Sequence, residues 1–298
     1  MPSIDYKNVF VQPITNIIFP NAVQLYVLRL DKLHPIVSGN KWFKLKHQLQ
    51  DAIVKKNTSV ATFGGAYSNH IVATAYACKM VGLQSIGIIR GDELKQLNNT
   101  LLTAKKYGMD LHFVTRALYD DKQLIQQTFN SKNCYWINEG GYSVLGADGV
   151  KEMYQWIDKS FTHIVSAVGT GTMMAGLIKG ALPHQKVVGI SVLKGHNNWQ
   201  SEVENLLGQV EKGKQFELIS DYHFGGYAKH PKALINWMNG LYQNHNLPTD
   251  IIYTSKLLYG IFDLIKQNHF PPNSKIMAIH SGGLQGNLSL PQGTFVFD

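Results

Sequence analysis

The chain has 298 residues, of which 44% are hydrophobic and 16% charged, and it carries a formal net charge of +8. That length is too great for one minimal core and suits one large α/β unit or two joined domains, and the composition is that of an ordinary soluble globular protein able to bury a large core. No apolar run approaches a membrane span, and the lysines are scattered, with no basic helix interleaving them with aromatics, which argues against a nucleic-acid surface.

In chain order, Met1–Phe10 lacks the basic-then-apolar pattern of a signal segment. Ser38–Gly39–Asn40–Lys41 is a turn that opens a helix, in which Leu45, Leu49, Ala52 and Ile53 form one apolar stripe. The same turn starts the one basic cluster of interest, Lys41, Lys44 and Lys46. Short apolar runs predict buried strands at Ser59–Phe63, Ser85–Ile89, Leu111–Val114, Tyr135–Ile137, His163–Val168, Val187–Val192 and Lys275–Ile279. Leu177, Ile178 and Ala181 mark a second helical stripe. Strands alternating with helices across short Gly-rich joints predict parallel sheets with helices on both faces. Ligands bind such sheets at the carboxyl ends of the strands. The joints there are Gly64–His70, Glu139–Gly140–Gly141–Tyr142, Gly169–Thr172 and Ser281–Gly282–Gly283. Cys78 and Cys134 stand far apart in no metal-binding spacing, so no metal is expected and a reducing cytoplasm is the expected compartment.

Each joint has a bland reading and a chemical one. Gly169–Thr172 is either a plain tight turn or a phosphate cup, in which converging amides and a helix N-terminus meet an anion and the hydroxyls of Thr170 and Thr172 add donors. Val168–Gly176 also approaches a dinucleotide fingerprint, but no acidic residue ends a following strand where one is needed. Lys41 is either solvated or a Schiff-base lysine. At a helix start the dipole disfavours its charge and lowers its pKa. Lys44, one turn on and on the same face, can reach a cofactor phosphate. Ser68 and Asn69 are helix caps, or they meet a substrate and a cofactor oxygen.

Taken together, Ser38–Leu45, Gly64–His70, Val168–Thr172 and His280–Gly283 resemble, in order and over nearly the whole chain, the ACC deaminase/D-cysteine desulfhydrase family of pyridoxal-phosphate enzymes (ACC is 1-aminocyclopropane-1-carboxylate). The resemblance implies two three-layer αβα domains with mostly parallel sheets, the tryptophan synthase β-like fold type II. Residues 1–51 with 148–298 would form the large cofactor-binding domain and 52–147 the small one. It implies that Lys41 holds pyridoxal 5'-phosphate as a Schiff base and moves the α-proton, while Lys44 and the amides of Gly169, Thr170, Gly171 and Thr172 hold the phosphate. Asn69 would bond the ring hydroxyl oxygen. Ser68, with the amides of Asn69 and His70, would hold the substrate carboxylate, and Ser68 would relay a proton. Tyr253 and Tyr227 fall where the family has active-site tyrosines. A homodimer is also implied, with a small amino acid as substrate.

Within the family, the deaminase branch carries Ser-Asn-Gln, Tyr-Glu and His-Leu-Gly-Gly where this chain has Ser68-Asn69-His70, Tyr253-Thr254 and His280-Ser281-Gly282-Gly283. Ser281 or Thr254 beside a pyridine nitrogen offers a hydroxyl and no negative charge, which makes a weaker electron sink. Opening a cyclopropane is more demanding than expelling a β-thiolate. The resemblance thus implies a desulfhydrase-like α,β-elimination, giving pyruvate, ammonia and, from D-cysteine, sulfide. ACC deamination is the alternative, and a fold that has lost turnover is a further one. Three features depart from the family: Trp42–Phe43 after the lysine, Ser255 where glycine is common before Lys256, and the short chain. These bear on the pocket or on oligomer contacts.

Overall fold

A computed structural model describes residues 4–129 and 133–297, so Met1–Ser3 of the N-terminal stretch lie outside the described residues. The chain starts in one sheet with β1 (Val11–Pro13) and β2 (Gln24–Arg29), and then enters α1 (Asn40–Val54). It crosses to a second sheet through β3 (Ser59–Gly65), α2 (Asn69–Val81), β4 (Gln84–Arg90), α3 (Asn99–Lys106) and β5 (Met109–Val114). Two short helices, α4 (Arg116–Asp120) and α5 (Lys122–Thr128), lead to β6 (Cys134–Ile137) and α6 (Val144–Lys151). The chain then returns to the first sheet with β7 (His163–Val168), α7 (Thr172–Gly180) and β8 (Lys186–Ser191). It ends through α8 (Trp199–Glu204), α9 (Gln209–Lys212), β9 (Phe216–Ile219), α10 (Lys232–His245), α11 (Thr254–Lys266) and β10 (Lys275–His280).

The larger sheet runs β1-β2-β10-β7-β8-β9 and the smaller β5-β4-β3-β6. Every pairing is parallel except β1 with β2. β1 is an edge strand, where Pro13 is tolerated because its missing N–H faces no partner. β7 is buried at all six positions, as expected of a central parallel strand covered on both faces.

Both sheets are sandwiched. One apolar cluster joins Leu28 and Ile279 of the larger sheet to Phe43, Leu45 and Leu49 of α1, and reaches Val60, Ala73 and Ile137 of the smaller sheet and its helix. On the opposite face of the larger sheet, Val27, Val165 and Val188 pack on Leu257, Ile261 and Ile265 of α11. The smaller sheet has Ile89 with Ile71 and Leu101 on one face, and Phe63 and Ile88 with Tyr119 and Ile125 on the other. This is the doubly covered, mostly parallel α/β architecture expected from the alternation of runs. Three details differ. Val192 lies past the end of β8, Ala181 lies past the end of α7, and Ile53 is 39% exposed and leaves the α1 stripe. Among the described residues no helix is long and apolar enough to cross a membrane.

Candidate active site

The turn before α1 is built around Gly39, whose φ is +61°. A Cβ there would lie 1.8 Å from the carbonyl oxygen of Ser281, so only glycine lets the two loops meet. The Asn40 amide donates to that same oxygen at 3.2 Å. Lys41 follows, in the first turn of the helix. Its Nζ donates to Asn40 Oδ1 at 2.9 Å and stands 5.8 Å from the ring centre of Tyr253. Burial lowers the Lys41 amine to about 8, against the pull of the Asp250 carboxylate.

Lys44 is 5% exposed, and burial followed by the charge of Lys41 pushes its amine well below the ordinary range. Its ammonium makes no hydrogen bond or ion pair among the described residues. The turn at Glu139–Gly141 ties this lysine to the loop after β7. A Cβ at Gly141 would meet Lys44 Cβ at 3.0 Å, and one at Gly140 would meet Thr170 Cγ2 at 2.8 Å. The expected cluster of three lysines is therefore split. Lys46 turns away to pair with Glu152, which also meets His47 Nε2 at 2.6 Å.

Gly169–Thr172 joins β7 to α7, with Gly171 at φ +77° as the residue before the helix. The hydroxyls of Thr170 and Thr172 lie 3.2 Å apart. Lys44, the amides at the α7 N-terminus and the Thr170 and Thr172 hydroxyls are donors of the kind that suit a phosphate dianion. The residues present fit pyridoxal phosphate on this ground, and Asn69 adds a second. Its Nδ2 donates to Gly283 O at 3.4 Å, while Oδ1 is buried without a partner.

Ser68 takes the cap position of α2, but its hydroxyl makes no capping bond and stays available. His70 contributes more than an amide. Its Nε2 stands 2.8 Å from Thr62 Oγ1, and that hydroxyl donates to Ile137 O at 2.8 Å. Thr62 must therefore accept from Nε2–H, which leaves His70 Nδ1 as a bare, buried acceptor without a partner. Burial, aided by the charges of Lys41 and Lys44, lowers the imidazole to about 3 and keeps it neutral.

The Ser281–Gly283 loop rests on a buried network. His280 Nε2 lies 2.7 Å from Pro248 O, its Nδ1 lies 3.3 Å from Asp31 Oδ1, and Asp31 accepts two hydrogen bonds from Arg29 at 2.7 and 2.8 Å. Burial works to raise the Asp31 carboxyl, and the neighbouring charges of His280 and Arg29 outweigh it and hold it below its ordinary value.

Tyr253 stands 3.4 Å from a Cβ built on Gly169, which puts its ring against the cup. Its hydroxyl donates to Tyr227 Oη at 3.4 Å, and the two rings meet edge to face at 5.9 Å. Burial, then the charge of Tyr227, raises Tyr253 well above its ordinary pKa. Tyr227 is 40% exposed, so it is no core aromatic. Thr254 offers nothing to a ring nitrogen, because its hydroxyl donates to Asp250 Oδ1 at 2.7 Å; that leaves Ser281 as the candidate. Trp42 and Phe43 also turn from the pocket: Phe43 is fully buried and Trp42 Nε1 donates to Tyr6 Oη at 2.7 Å.

Sequence reasoning missed Asp250 and Thr62. Asp250 accepts the amides of Ile252 and Tyr253 on one oxygen and that of Thr254 on the other, at 2.8–2.9 Å. The signal was present as an acid just before a helical stripe, which marks a cap. Thr62 sits inside a buried strand and carried no comparable signal.

The family model of pyridoxal-phosphate-dependent enzymes matches residues 19–282. A putative 1-aminocyclopropane-1-carboxylate deaminase of Pyrococcus abyssi is 31% identical, over 89% of this chain and 86% of that protein. A bifunctional D-cysteine desulfhydrase/1-aminocyclopropane-1-carboxylate deaminase of Arabidopsis thaliana is 28% identical, over 90% of this chain and 74% of its own length. The crystal structure of an ACC deaminase homologue superposes with a TM-score of 0.80 at 26% identity, covering 95% of this chain and 91% of that one.

Proposed function

The chain belongs to the family of pyridoxal-phosphate-dependent enzymes, and on that premise we propose that it is a lyase removing the β-substituent of a small amino acid, with D-cysteine as substrate. Bound pyridoxal phosphate supplies an aldehyde for a lysine amine and a ring that withdraws electrons from the α-carbon.

The observation that carries the reading is a pair of lysines one helical turn apart, Lys41 with its amine 5.8 Å from the Tyr253 ring centre and Lys44 packed on the Glu139–Gly141 turn that also meets Thr170. Lys41 holds the cofactor, and its amine, lowered to about 8, accepts the α-proton at Nζ near neutral pH. Lys44 and the amides of Gly169, Thr170, Gly171 and Thr172 hold the phosphate. Asn69 holds the ring hydroxyl oxygen, and Ser281 serves the ring nitrogen. Ser68, whose hydroxyl is uncommitted, holds the substrate carboxylate with the amides of Asn69 and His70 and relays a proton. Tyr253 and Tyr227 close the same space and meet the leaving group.

D-Cysteine is favoured because Ser281, the candidate beside the ring nitrogen, offers a hydroxyl and no negative charge, and because His70, Thr254 and Ser281 all match the desulfhydrase branch. The relatives named for ACC deamination support a second reading, ring opening to 2-oxobutyrate. Turnover of D-cysteine, L-cysteine, D-serine and ACC, followed by pyruvate and 2-oxobutyrate, separates the two. Pyruvate and sulfide from D-cysteine are expected, and 2-oxobutyrate from ACC as the main product overturns the choice.

A large domain of residues 1–51 with 148–298, a small one of 52–147, a homodimer and a cytoplasmic location belong to the same proposal. The first is supported by the membership of the two sheets. The homodimer is supported by the family resemblance, and light scattering tests it.

A further inference from the structure

The segment His223–Tyr227 has no regular secondary structure, and Phe224, Gly225 and Gly226 have φ of 53°, 95° and 134° in succession. A phenylalanine adopts a positive φ only where its surroundings impose it. Here they do so at two points. The Phe224 ring packs edge to face on Tyr259 of α11 at 5.0 Å. From the same helix, Lys256 Nζ donates to the carbonyl oxygens of His223, Gly226 and Tyr227 at 3.0, 2.6 and 3.0 Å. An ammonium has three protons, and all three go to this loop. Lys256 is fully buried and forms no ion pair among the described residues. Three carbonyl dipoles aimed at one point repel one another unless a cation sits there.

We infer that Lys256 is a positioning residue, a tethered cation that gathers these carbonyls and thereby fixes Tyr227 against Tyr253, whose ring centre lies 5.8 Å from the Lys41 amine. The tyrosine hydroxyls meet at 3.4 Å, so an opened loop separates them. This inference rests on the reading of Lys41 and Tyr253 as the reacting centre. It accounts for a lysine in α11 that touches neither the cup nor the Lys41 turn.

Two measurements test it. In the wild-type holoenzyme, hydrogen exchange is expected to show the amides of Gly226 and Lys229, which donate to His223 O and Gly226 O at 3.0 and 3.2 Å, protected although they lie outside regular structure. Exchange there at free-peptide rates overturns the inference, whatever the substrate proves to be. In Lys256→Met, exchange of this segment is expected to rise about tenfold or more while β7 and α7 keep their protection. A segment that stays equally protected overturns it, and should Lys256→Met fail to fold, the wild-type measurement decides. The second measurement is a cycle of Lys256→Met and Tyr227→Phe, on whichever amino acid the wild type turns over. Lys256→Met alone is expected to lower kcat about tenfold, and to change it less than about twofold once Tyr227 is already phenylalanine. Effects that multiply, or an unchanged kcat in Lys256→Met, overturn the role. Absence of turnover in the wild type counts against the proposed lyase activity and leaves the exchange result intact.

Discussion

The backbone amide of Asn40 donates to the carbonyl oxygen of Ser281 at 3.2 Å, so the turn that carries Lys41 is built directly on the loop that ends the last strand. The contact needs the bare α-carbon of Gly39. In Gly39→Ala the new methyl meets a main-chain oxygen at 1.8 Å and a positive φ as well. The variant is expected to lose about 2 kcal/mol or more of stability and most of its cofactor absorbance. Urea unfolding and an absorption spectrum check this, and a variant as stable as wild type contradicts the assigned contact.

The Lys41 amine sits at about 8 instead of the ordinary 10.5, so the neutral, nucleophilic form accumulates as pH rises through 8. Capture of added pyridoxal phosphate by apoprotein is therefore expected to accelerate with pH, with a midpoint at about 8. The Asp250 carboxylate raises this amine, so Asp250→Asn is expected to move the midpoint lower. Stopped-flow absorbance across pH checks both signs, and a midpoint near 10 contradicts the burial argument.

Lys44 makes no hydrogen bond or ion pair among the described residues, and it packs on the Glu139–Gly141 turn, which also meets Thr170. Removing a charge-assisted hydrogen bond to phosphate costs about 1.5–3 kcal/mol. Lys44→Met is expected to weaken pyridoxal-phosphate binding by about 10- to 100-fold while barely weakening pyridoxal, which lacks the phosphate. Equal losses for the two ligands contradict a phosphate role.

Thr62 is the only acceptor for His70 Nε2–H among the described residues, and it is itself fully buried. Thr62→Val keeps the shape and leaves that donor unpaired, an expected loss of about 1–3 kcal/mol. Denaturant unfolding of the apoprotein measures it, and an unchanged midpoint removes the relay as the determinant of the tautomer.

The parallel sheets were legible because β3, β4, β7, β8 and β10 are covered on both faces and so appear as short, mostly apolar runs. β1, β2 and β9 were not. β1 is a three-residue edge, β2 begins on Gln24 and ends on Arg29 with no glycine joint directly after it, and all four residues of β9 are only half-buried. The cup and the Lys41 turn were legible because glycine is needed at both. Whatever depends on pairing across the fold was hidden in the sequence. Lys46 belongs to Glu152, and His70 Nε2 to Thr62. No local pattern in the sequence states those partnerships.

β10 lies between β2 and β7, so strands made first and midway are joined only by residues 275–280. A growing chain on the ribosome reaches that point after nearly everything else has emerged. Until then β2 and β7 present open edges toward the same gap, the kind of surface on which partly made chains pair with one another. The larger sheet thus forms as a whole-chain event, and a product cut short before Lys275 lacks the central strand. Such a fragment has no Ser281 loop on which to seat Lys41.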